Sequence, residues 1–563
     1  MSYLDWIVLG LSLSFIVGYG IYRSWENKNI ESYLLANQSL PWYHVTLSLM
    51  ATQASAITFL SAPGQAYTDG MRFVQFYFGL PLAMVVLCIT FVPKFHKLKV
   101  FTAYEFLEGR FDLRTRSLTA GLFLLQRGLS TGLSIYAPSI ILSAILGWDI
   151  TWTNIISGGL VMLYTVTGGA RAVSHTHLQQ MGIVTLGMVI AGVTVVKLLP
   201  DDVSFTDAIH VAGKMGKTNL IDFTFDLNNR YNVWSGIIGG FFLQLSYFGT
   251  DQSQVGRYLT GSSIGNSRLG LAMNGLLKIP MQFLILLVGV LVFAFYQFTT
   301  PPLFFNQVQV EKVMSSQYAA EYQKLEDKHA QIQSQKRPHV LALSAALDTD
   351  DEAGIARERD VLGATESEVQ QVRKEAQALI SKANGQDTND VNYIFLRFVI
   401  DYLPAGLVGL LIAVILLASM GSVAAAYNSL ASTTVIDVYK RMVKTDGTPE
   451  HYVRVSRWTT FGWGIFCIIV AQYASRLGSM IEAVNVLGSL FYGVILGVFL
   501  VAFYFKSIGS RAVFWGAVIG EVFVFASYIY ELTAFLWLNL IGCVLVIFIA
   551  WLLEKVWPQP VKA

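Results

Sequence analysis

Ser48-Leu-Met-Ala-Thr-Gln-Ala-Ser-Ala-Ile-Thr-Phe-Leu-Ser-Ala-Pro-Gly64 is an apolar segment of membrane-spanning character with polar residues in its middle. A second segment of the same kind follows much later, Gly239-Gly-Phe-Phe-Leu-Gln-Leu-Ser-Tyr-Phe-Gly-Thr-Asp-Gln252. Hydrocarbon satisfies neither a loosened backbone nor a buried amide, so such segments must face protein or a water-filled cavity. Two interrupted helices at corresponding places in two halves of a chain point to a solute and ion site at the midplane of a secondary transporter.

The rest of the chain fits that setting. It is 54% hydrophobic and only 13% charged, against about 25% charged for a soluble domain. Apolar stretches of about 20 residues, enough to cross a bilayer, are expected near 3–23, 44–67, 72–93, 119–147, 151–168, 176–198, 233–254, 269–297, 403–434, 455–475, 480–505, 511–531 and 533–553, thirteen in all. The expected class is therefore an all-α polytopic membrane protein with the lipid bilayer as its first partner. A net charge of +2 points to no partner, and no nucleic acid is expected. The three cysteines, Cys88, Cys467 and Cys543, each fall in an apolar span, which reads as packing rather than a disulfide framework or zinc site.

Orientation follows from charge. The start, Met1-Ser-Tyr-Leu-Asp5, lacks a basic region, and no small-residue cleavage site closes the first apolar run, so it reads as a retained helix. With the N-terminus outside, the inward loops and tail hold Arg23, Lys28, Lys94, Lys97, Lys99, Arg110, Arg114, Arg116, Arg171, Arg257, Arg268, Lys440, Arg441, Lys444, Arg454, Arg457, Lys506, Arg511, Lys555 and Lys562. The short outward loops hold Arg72, Lys214, Lys217, Arg230 and Arg476, a ratio of 20 to 5 that obeys the positive-inside rule. The C-terminus is then cytoplasmic, and the expected location is the cell membrane.

One segment departs from the membrane pattern. Residues 308–391 carry 10 Lys/Arg and 15 Asp/Glu, with helical spacing in Glu311–Gln335 and Glu366–Lys382 and a turn-like Asn384-Gly-Gln-Asp387. It is expected outside, as a helical hairpin or cap presenting a solvated face. The chain thus divides into a first span (1–30), seven spans (31–300), the extracellular insertion (301–392), three further spans (393–505), and two last spans with a cytoplasmic tail (506–563).

Function classes separate on motifs. The spans contain no nucleophile elbow, zinc-ligand spacing, P-loop or paired catalytic carboxylates, so an enzyme is not expected, nor is an organic cofactor. No charged ring or repeated filter motif suggests a channel. The last expected span ends about ten residues before Ala563, so no output module of a sensor is expected there. Around the interruptions lie polar side chains suited to holding a small solute: Gln53, Ser55 and Thr58, then Gln75 and Tyr77. Arg127, in Leu124-Leu-Gln-Arg-Gly-Leu-Ser130, is a permanent charge that needs an anion, an acidic neighbour or water, unless it snorkels to the inner interface.

Four motifs, in order and at the right helix spacing, resemble the sodium:solute symporter family: Ile135-Tyr-Ala-Pro138, Thr165-Val-Thr-Gly-Gly-Ala-Arg-Ala-Val173, Thr250-Asp-Gln-Ser-Gln-Val-Gly-Arg-Tyr258 and Asn428-Ser-Leu-Ala-Ser-Thr-Thr-Val-Ile-Asp-Val-Tyr-Lys440. The resemblance covers residues from about 30 to 555. It implies a core of five plus five helices related as inverted repeats, with the first and sixth broken, one helix before the core and two after it. It also implies symport of a small solute with Na+ by alternating access. By match to the family, the cation site would use the carbonyls of Ala51, Ala54 and Ala418, with the hydroxyl pair falling on Gly421 and Ser422. One hydroxyl is therefore missing. The family's acidic residue after the Gly-Gly motif matches His177, which reads either as a proton carrier or as a neutral, hydrogen-bonded histidine. Proton coupling, uncoupled transport and a non-transporting sensor remain as alternatives.

The same resemblance offers solute contacts. Arg127 matches a helix on which sialic acid carriers place an arginine against the substrate carboxylate. Gln244 matches a sugar-contacting amide, Tyr247 an inner gate, and Lys278, in Leu276-Leu-Lys-Ile-Pro280, a lysine that binds a sugar hydroxyl. The sugar branch's acidic residue has no counterpart, since Ile57 and Thr58 stand there. Ile135-Tyr-Ala-Pro138 instead resembles the monocarboxylate, vitamin and iodide branch. A sugar and a small carboxylate both remain open, as does the oligomeric state.

Overall fold

The computed structural model describes residues 2–24, 38–98, 100, 102–201, 203–384, 388–474 and 479–558. Of the sequence expectations, Lys28, Lys99, Arg476, Lys562 and Gly385–Asp387 lie outside these, as do the side chains of Arg23, Arg171 and His175. The described chain is helical, and a single backbone bridge between Leu40 and Gly261 is its one β-type pairing.

The helices are, in order, α1 (Tyr3–Ser24), α2 (Trp42–Gln53), α3 (Ala56–Asp69), α4 (Leu80–Val86), α5 (Val92–Leu98), α6 (Glu105–Arg110), α7 (Leu113–Leu146), α8 (Ile150–Lys197) and α9 (Phe205–Lys214). There follow α10 (Gly240–Thr250), α11 (Gln252–Tyr258), α12 (Ile264–Phe298), α13 (Gln307–Met314), α14 (Ala319–Asp348), α15 (Glu352–Asn384) and α16 (Ile394–Tyr402). The last five are α17 (Leu407–Thr433), α18 (Pro449–Ala471), α19 (Met480–Tyr504), α20 (Ser510–Ile529) and α21 (Phe535–Val556). Tighter or wider helical turns link several of them, at Gly70–Tyr77, Leu87–Phe91, Ser235–Gly239 and Thr434–Val443.

Among the described residues, 8 helical stretches are long and apolar enough to cross a membrane, with shorter apolar helices at Tyr3–Ile16 and Ile150–Leu163. The thirteen expected spans are thus not all recovered by length and apolarity, and two places show how the two counts part. The interruption between α10 and α11 leaves pieces too short to span by themselves. Conversely, Ala56–Leu98 reads as one stretch although the chain reverses inside it. Its direction can be followed on α12: Gly270 faces Val45 and Gly289 faces Pro63, whereas Gly275 faces Met84 and Arg268 Nε donates to Cys88 O at 2.8 Å. The reversal occurs at Gly70, whose φ of 75° lies in the left-handed region that favours glycine.

α8 hides a similar reversal. As a straight helix its 48 residues would extend about 72 Å, more than twice the hydrocarbon thickness. Its neighbours say otherwise. Asn154 donates to Ala471 O and Met162 faces Gly464 as α18 is followed from its end toward its middle. Then His177 faces Gly421 and Gly187 faces Val414 as α17 is followed back toward its start. α17 and α18 are joined end to end, so the two arms of α8 run in opposite directions.

The insertion forms a helical hairpin of α14 and α15. It closes at Thr349–Asp351, with Asp350 at φ 52°. The two helices are longer than the spacing alone suggested, because they share an apolar seam: Tyr322, Ile332, Val369, Val372, Ala376 and Ile380 form a small core separate from that of the membrane bundle.

Candidate functional site

The first interruption separates α2 from α3 at Ala54 and Ser55. Ala54 leaves helical geometry (φ −85°, ψ 78°), and the Ser55 side chain makes no capping bond. The Ser55 N–H turns back to Gln53 O at 3.1 Å, and the Thr58 N–H reaches Ser55 O at 2.9 Å. Both amides would serve the carbonyls of Ala51 and Ala54 in a continuous helix. Those two carbonyls therefore lose their helical donors while lying in buried residues. Carbonyl oxygens without amide partners inside a bundle suit a hard cation, which needs oxygen ligands.

Facing the interruption is α17, which packs on α2, α3 and α8 and is unbroken through Ala418, Gly421 and Ser422. Ser422 is buried and its hydroxyl donates to Ser419 O at 3.1 Å. Gly421 meets His177: a Cβ there would stand 3.0 Å from both Cδ2 and Nε2 of the imidazole and 2.6 Å from Gln180 Oε1. His177 is fully buried, with Nδ1 3.1 Å from Ser48 Oγ on α2. The missing hydroxyl at 421 and the histidine at 177 are thus one structural feature, because the ring occupies the room a side chain at 421 would need.

The second interruption is built differently. Asp251 adopts extended geometry (φ −78°, ψ 118°) between α10 and α11 and caps α11 by accepting from the Ser253 N–H (2.8 Å) and hydroxyl (2.6 Å) through Oδ1. Its Oδ2 accepts from the Arg127 guanidinium and from Tyr492 OH, the latter at 2.8 Å. Tyr104 OH donates to Thr250 O at 2.7 Å, and the Ala103 N–H donates to Gln252 Oε1 at 3.0 Å. Every element of this break is tied to its neighbours by side chains.

Between the two interruptions lies a cavity of about 90 Å³. Of the expected solute residues, Gln53, Thr58, Arg127, Gln244 and Tyr247 line it, together with Ser55 and Tyr77. Gln53 Oε1, Gln244 Oε1 and Arg127 Nε are buried and have no partner among the described residues. Tyr247 accepts from Gln254 Nε2 at 2.6 Å, and its ring centroid is 5.5 Å from Arg127 Cζ. Two expected residues stand elsewhere. Gln75 is spent on backbone, donating to Tyr231 O and accepting from the Asp222 N–H, both at 3.0 Å. Lys278 does not line the cavity: it is fully buried, with Nζ 5.7 Å from the Tyr77 ring centroid and no hydrogen-bond partner among the described residues.

Four further lining residues were missed, Gln126, Ser130, Asn485 and Tyr492. Gln126 and Ser130 flank Arg127 at helical spacing and were findable; Asn485 and Tyr492 sit in an apolar run that gives no such signal. Asp251 was visible inside a motif, but its pairing with Arg127 joins positions 124 residues apart.

Polar contacts flank the cavity on both sides. On one side Ser479 Oγ donates to Gln65 Oε1 (2.9 Å) and the Ile481 N–H to Ser61 Oγ (3.4 Å), joining α3 and α19. On the other lie Tyr247 with Gln254, then the Arg127–Asp251–Tyr492 cluster. Deeper still, Arg116 bonds Asp437 (2.6 Å) and Glu108 (2.7 Å), and Arg441 also bonds Glu108.

Such an assembly, with helices broken around a central cavity, has the form of a membrane carrier. The comparisons specify which kind. The model of the sodium:solute symporter family matches residues 33–320 and 372–520, and the chain belongs to that family. It is 26% identical over 535 residues to a sodium-dependent multivitamin transporter of Oryctolagus cuniculus, covering 93% of this chain and 70% of that one. It is 25% identical over 536 residues to sodium-coupled monocarboxylate transporter 1 of Xenopus laevis, with the same coverage. A human sodium/iodide cotransporter is 29% identical over 296 residues, 52% of this chain and 45% of its own. The solved substrate-bound, outward-open state of a Na+-coupled sialic acid symporter shares the fold, with a TM-score of 0.76 at 20% identity over 100% of this chain and 99% of that one. The protein is accordingly a multi-pass membrane symporter of a small solute, with Na+ as the family's coupling ion.

Proposed function

We propose that the chain carries a small organic carboxylate inward with Na+ by alternating access. The observation that carries this reading is the pair of carbonyls at Ala51 and Ala54 that have lost their amide partners, where α2 and α3 pack on α17, the helix that carries Ala418 and Ser422. Na+ would bind there and hold the broken helix, and solute would bind beside it among Gln53, Thr58, Gln244 and Arg127. The free Arg127 Nε, together with relatives described as carriers of monocarboxylates and vitamins, favours a carboxylate over a sugar. Lys278, behind Tyr77, and Gln75, on the outer loop, would act on the cavity wall rather than on solute. Tyr247 would form the inner gate.

The architecture proposed with it has thirteen spans: α1 as the peripheral first helix, α2/α3 as the broken first core helix, α10/α11 as the broken sixth, and α20 and α21 after the inverted five-plus-five core. The hairpin would lie outside, with the N-terminus outside and the C-terminus in the cytoplasm. Ion binding would bias the outward, solute-competent state by a few kcal/mol, which is enough to couple the fluxes. Uptake of labelled propionate and pyruvate into proteoliposomes tests this: an inward Na+ gradient should drive accumulation, and equal uptake in choline would refute it.

A second reading rests on one observation, the His177 ring against Gly421 and Ser48. There the imidazole would carry a proton in place of Na+. Uptake driven by an inward pH gradient in Na+-free medium, and lost in His177→Gln, would favour it.

A further inference from the structure

The hairpin does more than cover the bundle. Between it and the outer end of α3 lies a cavity of about 540 Å³ that shares no lining residue with the central one. Part of its wall, including His329, Lys336 and Glu366, comes from residues 321–371, which the family match leaves uncovered. The hairpin side of the chamber thus lies outside the family's common pattern, whereas Lys217 and the aromatic rings opposite it lie inside the matched residues.

The wall carries three cations and three carboxylates, of which two pairs are joined directly. Arg373 holds Asp390 through two bonds of 2.8 and 2.9 Å, and Lys336 holds Glu366 at 2.9 Å. Asp69 is exposed and accepts from Gln65. Lys217 is the exception: among the described residues no carboxylate lies within ion-pair distance of it. Its ammonium donates only to the Thr68 carbonyl and stands 4.8 Å from the Phe293 ring centroid. Burial pulls the Lys217 ammonium below its usual range, partly offset by the more distant charges of Glu366 and Asp69. A half-buried cation beside Tyr67, Phe293 and Tyr296 presents a charge for an anionic head and apolar walls for its body. The His329 imidazole, pushed down to about 4 chiefly by burial, adds no competing positive charge at neutral pH.

The geometry points to an outer capture site for small organic carboxylates, with Lys217 as the anion anchor and the three aromatic rings as the packing wall. It lies against Tyr67–Asp69, the last turn of α3, so a captured solute would wait at the end of the broken helix that lines the central cavity. Its role as an antechamber rests on the carrier reading above; binding itself does not.

Equilibrium binding of radiolabelled benzoate to the purified full chain tests the site, in Na+ and in choline. Wild type should bind saturably in choline, where the Na+-dependent central site is not loaded, and the variants are compared there. Lys217→Gln should weaken binding at least tenfold, and Lys217→Arg should retain it. Gln370→Trp, which plugs the rim without touching the Gly70 turn, should also weaken it at least tenfold even if Lys217→Gln fails to fold. Arg359→Ala, on the exposed face of the hairpin and outside the cavity wall, should leave it within twofold. Absence of saturable binding in wild type, or wild-type binding in either folded Lys217→Gln or Gln370→Trp, overturns the proposal. Missing Na+-driven uptake with benzoate binding intact would sink the symport reading alone.

Discussion

At the second interruption side chains hold the break: Asp251 caps α11, neutralises Arg127 and accepts from Tyr492, while Tyr104 takes the loosened carbonyl of Thr250. At the first, the chain stops short. No side chain caps α3, and the amides of Ser55 and Thr58 turn to nearer carbonyls, leaving Ala51 and Ala54 without their helical donors. One break is a joint finished by side chains, and the other has no side chain capping it. A polar interruption in a membrane helix is therefore not by itself an ion site. The ligand belongs where the protein has left its acceptors unmet.

That contrast can be broken first at the finished joint. Asp251→Ala leaves the Arg127 guanidinium buried with only Tyr492, and losing one partner of a buried pair costs about 3–5 kcal/mol. Thermal unfolding should drop by several degrees irrespective of Na+, and Arg127→Ala added to it should recover part of the loss. A stability change seen only in Na+ would place the ion at the wrong break.

Next is the closed side of the first break. Gly421→Ser pushes a side chain into His177 and Gln180, and overpacking of this kind costs about 1–3 kcal/mol. Combined with His177→Asp the clash is relieved, so the double variant should be more stable than the sum of the two single changes predicts. Strict additivity would show that the two positions are independent. Ser422→Ala is milder. Removing one hydroxyl ligand should weaken apparent Na+ affinity about tenfold, or about 1.4 kcal/mol, with solute affinity at saturating Na+ little changed. Unaltered Na+ dependence would remove Ser422 from the site.

The smallest effect lies in the hairpin. His329 titrates at about 4, held down by burial first and by Arg373 and Lys336 as well, while an unfolded histidine titrates near about 6.5. As pH falls through that window the unfolded chain takes up a proton that the folded hairpin refuses, so stability falls with acidification. Hydrogen exchange of α14 and α15 between pH 7 and 4 should show this loss, and His329→Gln should flatten it. An unchanged profile in the variant would mean that other groups set the acid sensitivity.

The sequence made some of this readable and left the rest hidden. Both interruptions announced themselves as polar residues in apolar segments, and Arg127, Gln53, Gln244 and Tyr247 were legible because a polar group in a span is costly. The difference between the breaks was not legible, because it depends on where the amides of Ser55 and Thr58 turn and on Arg127 reaching Asp251 across 124 positions. Gln75 and Lys278 show the opposite limit. Their cost in a span was evident, yet Gln75 is consumed by the backbone of Asp222 and Tyr231 and Lys278 sits behind Tyr77, facts set by tertiary packing. His177 and Gly421 were each recognisable as departures from the family, but only their contact makes them one feature.

The most direct measurement is thermal unfolding of the purified chain, wild type and Ser422→Ala, in Na+ and in choline at equal ionic strength. A ligand that binds the folded state raises its stability by mass action. Unfilled oxygens at the first break predict a clear Na+-specific rise in wild type that is largely lost in Ser422→Ala. Identical unfolding of wild type in both salts would contradict a sodium site there.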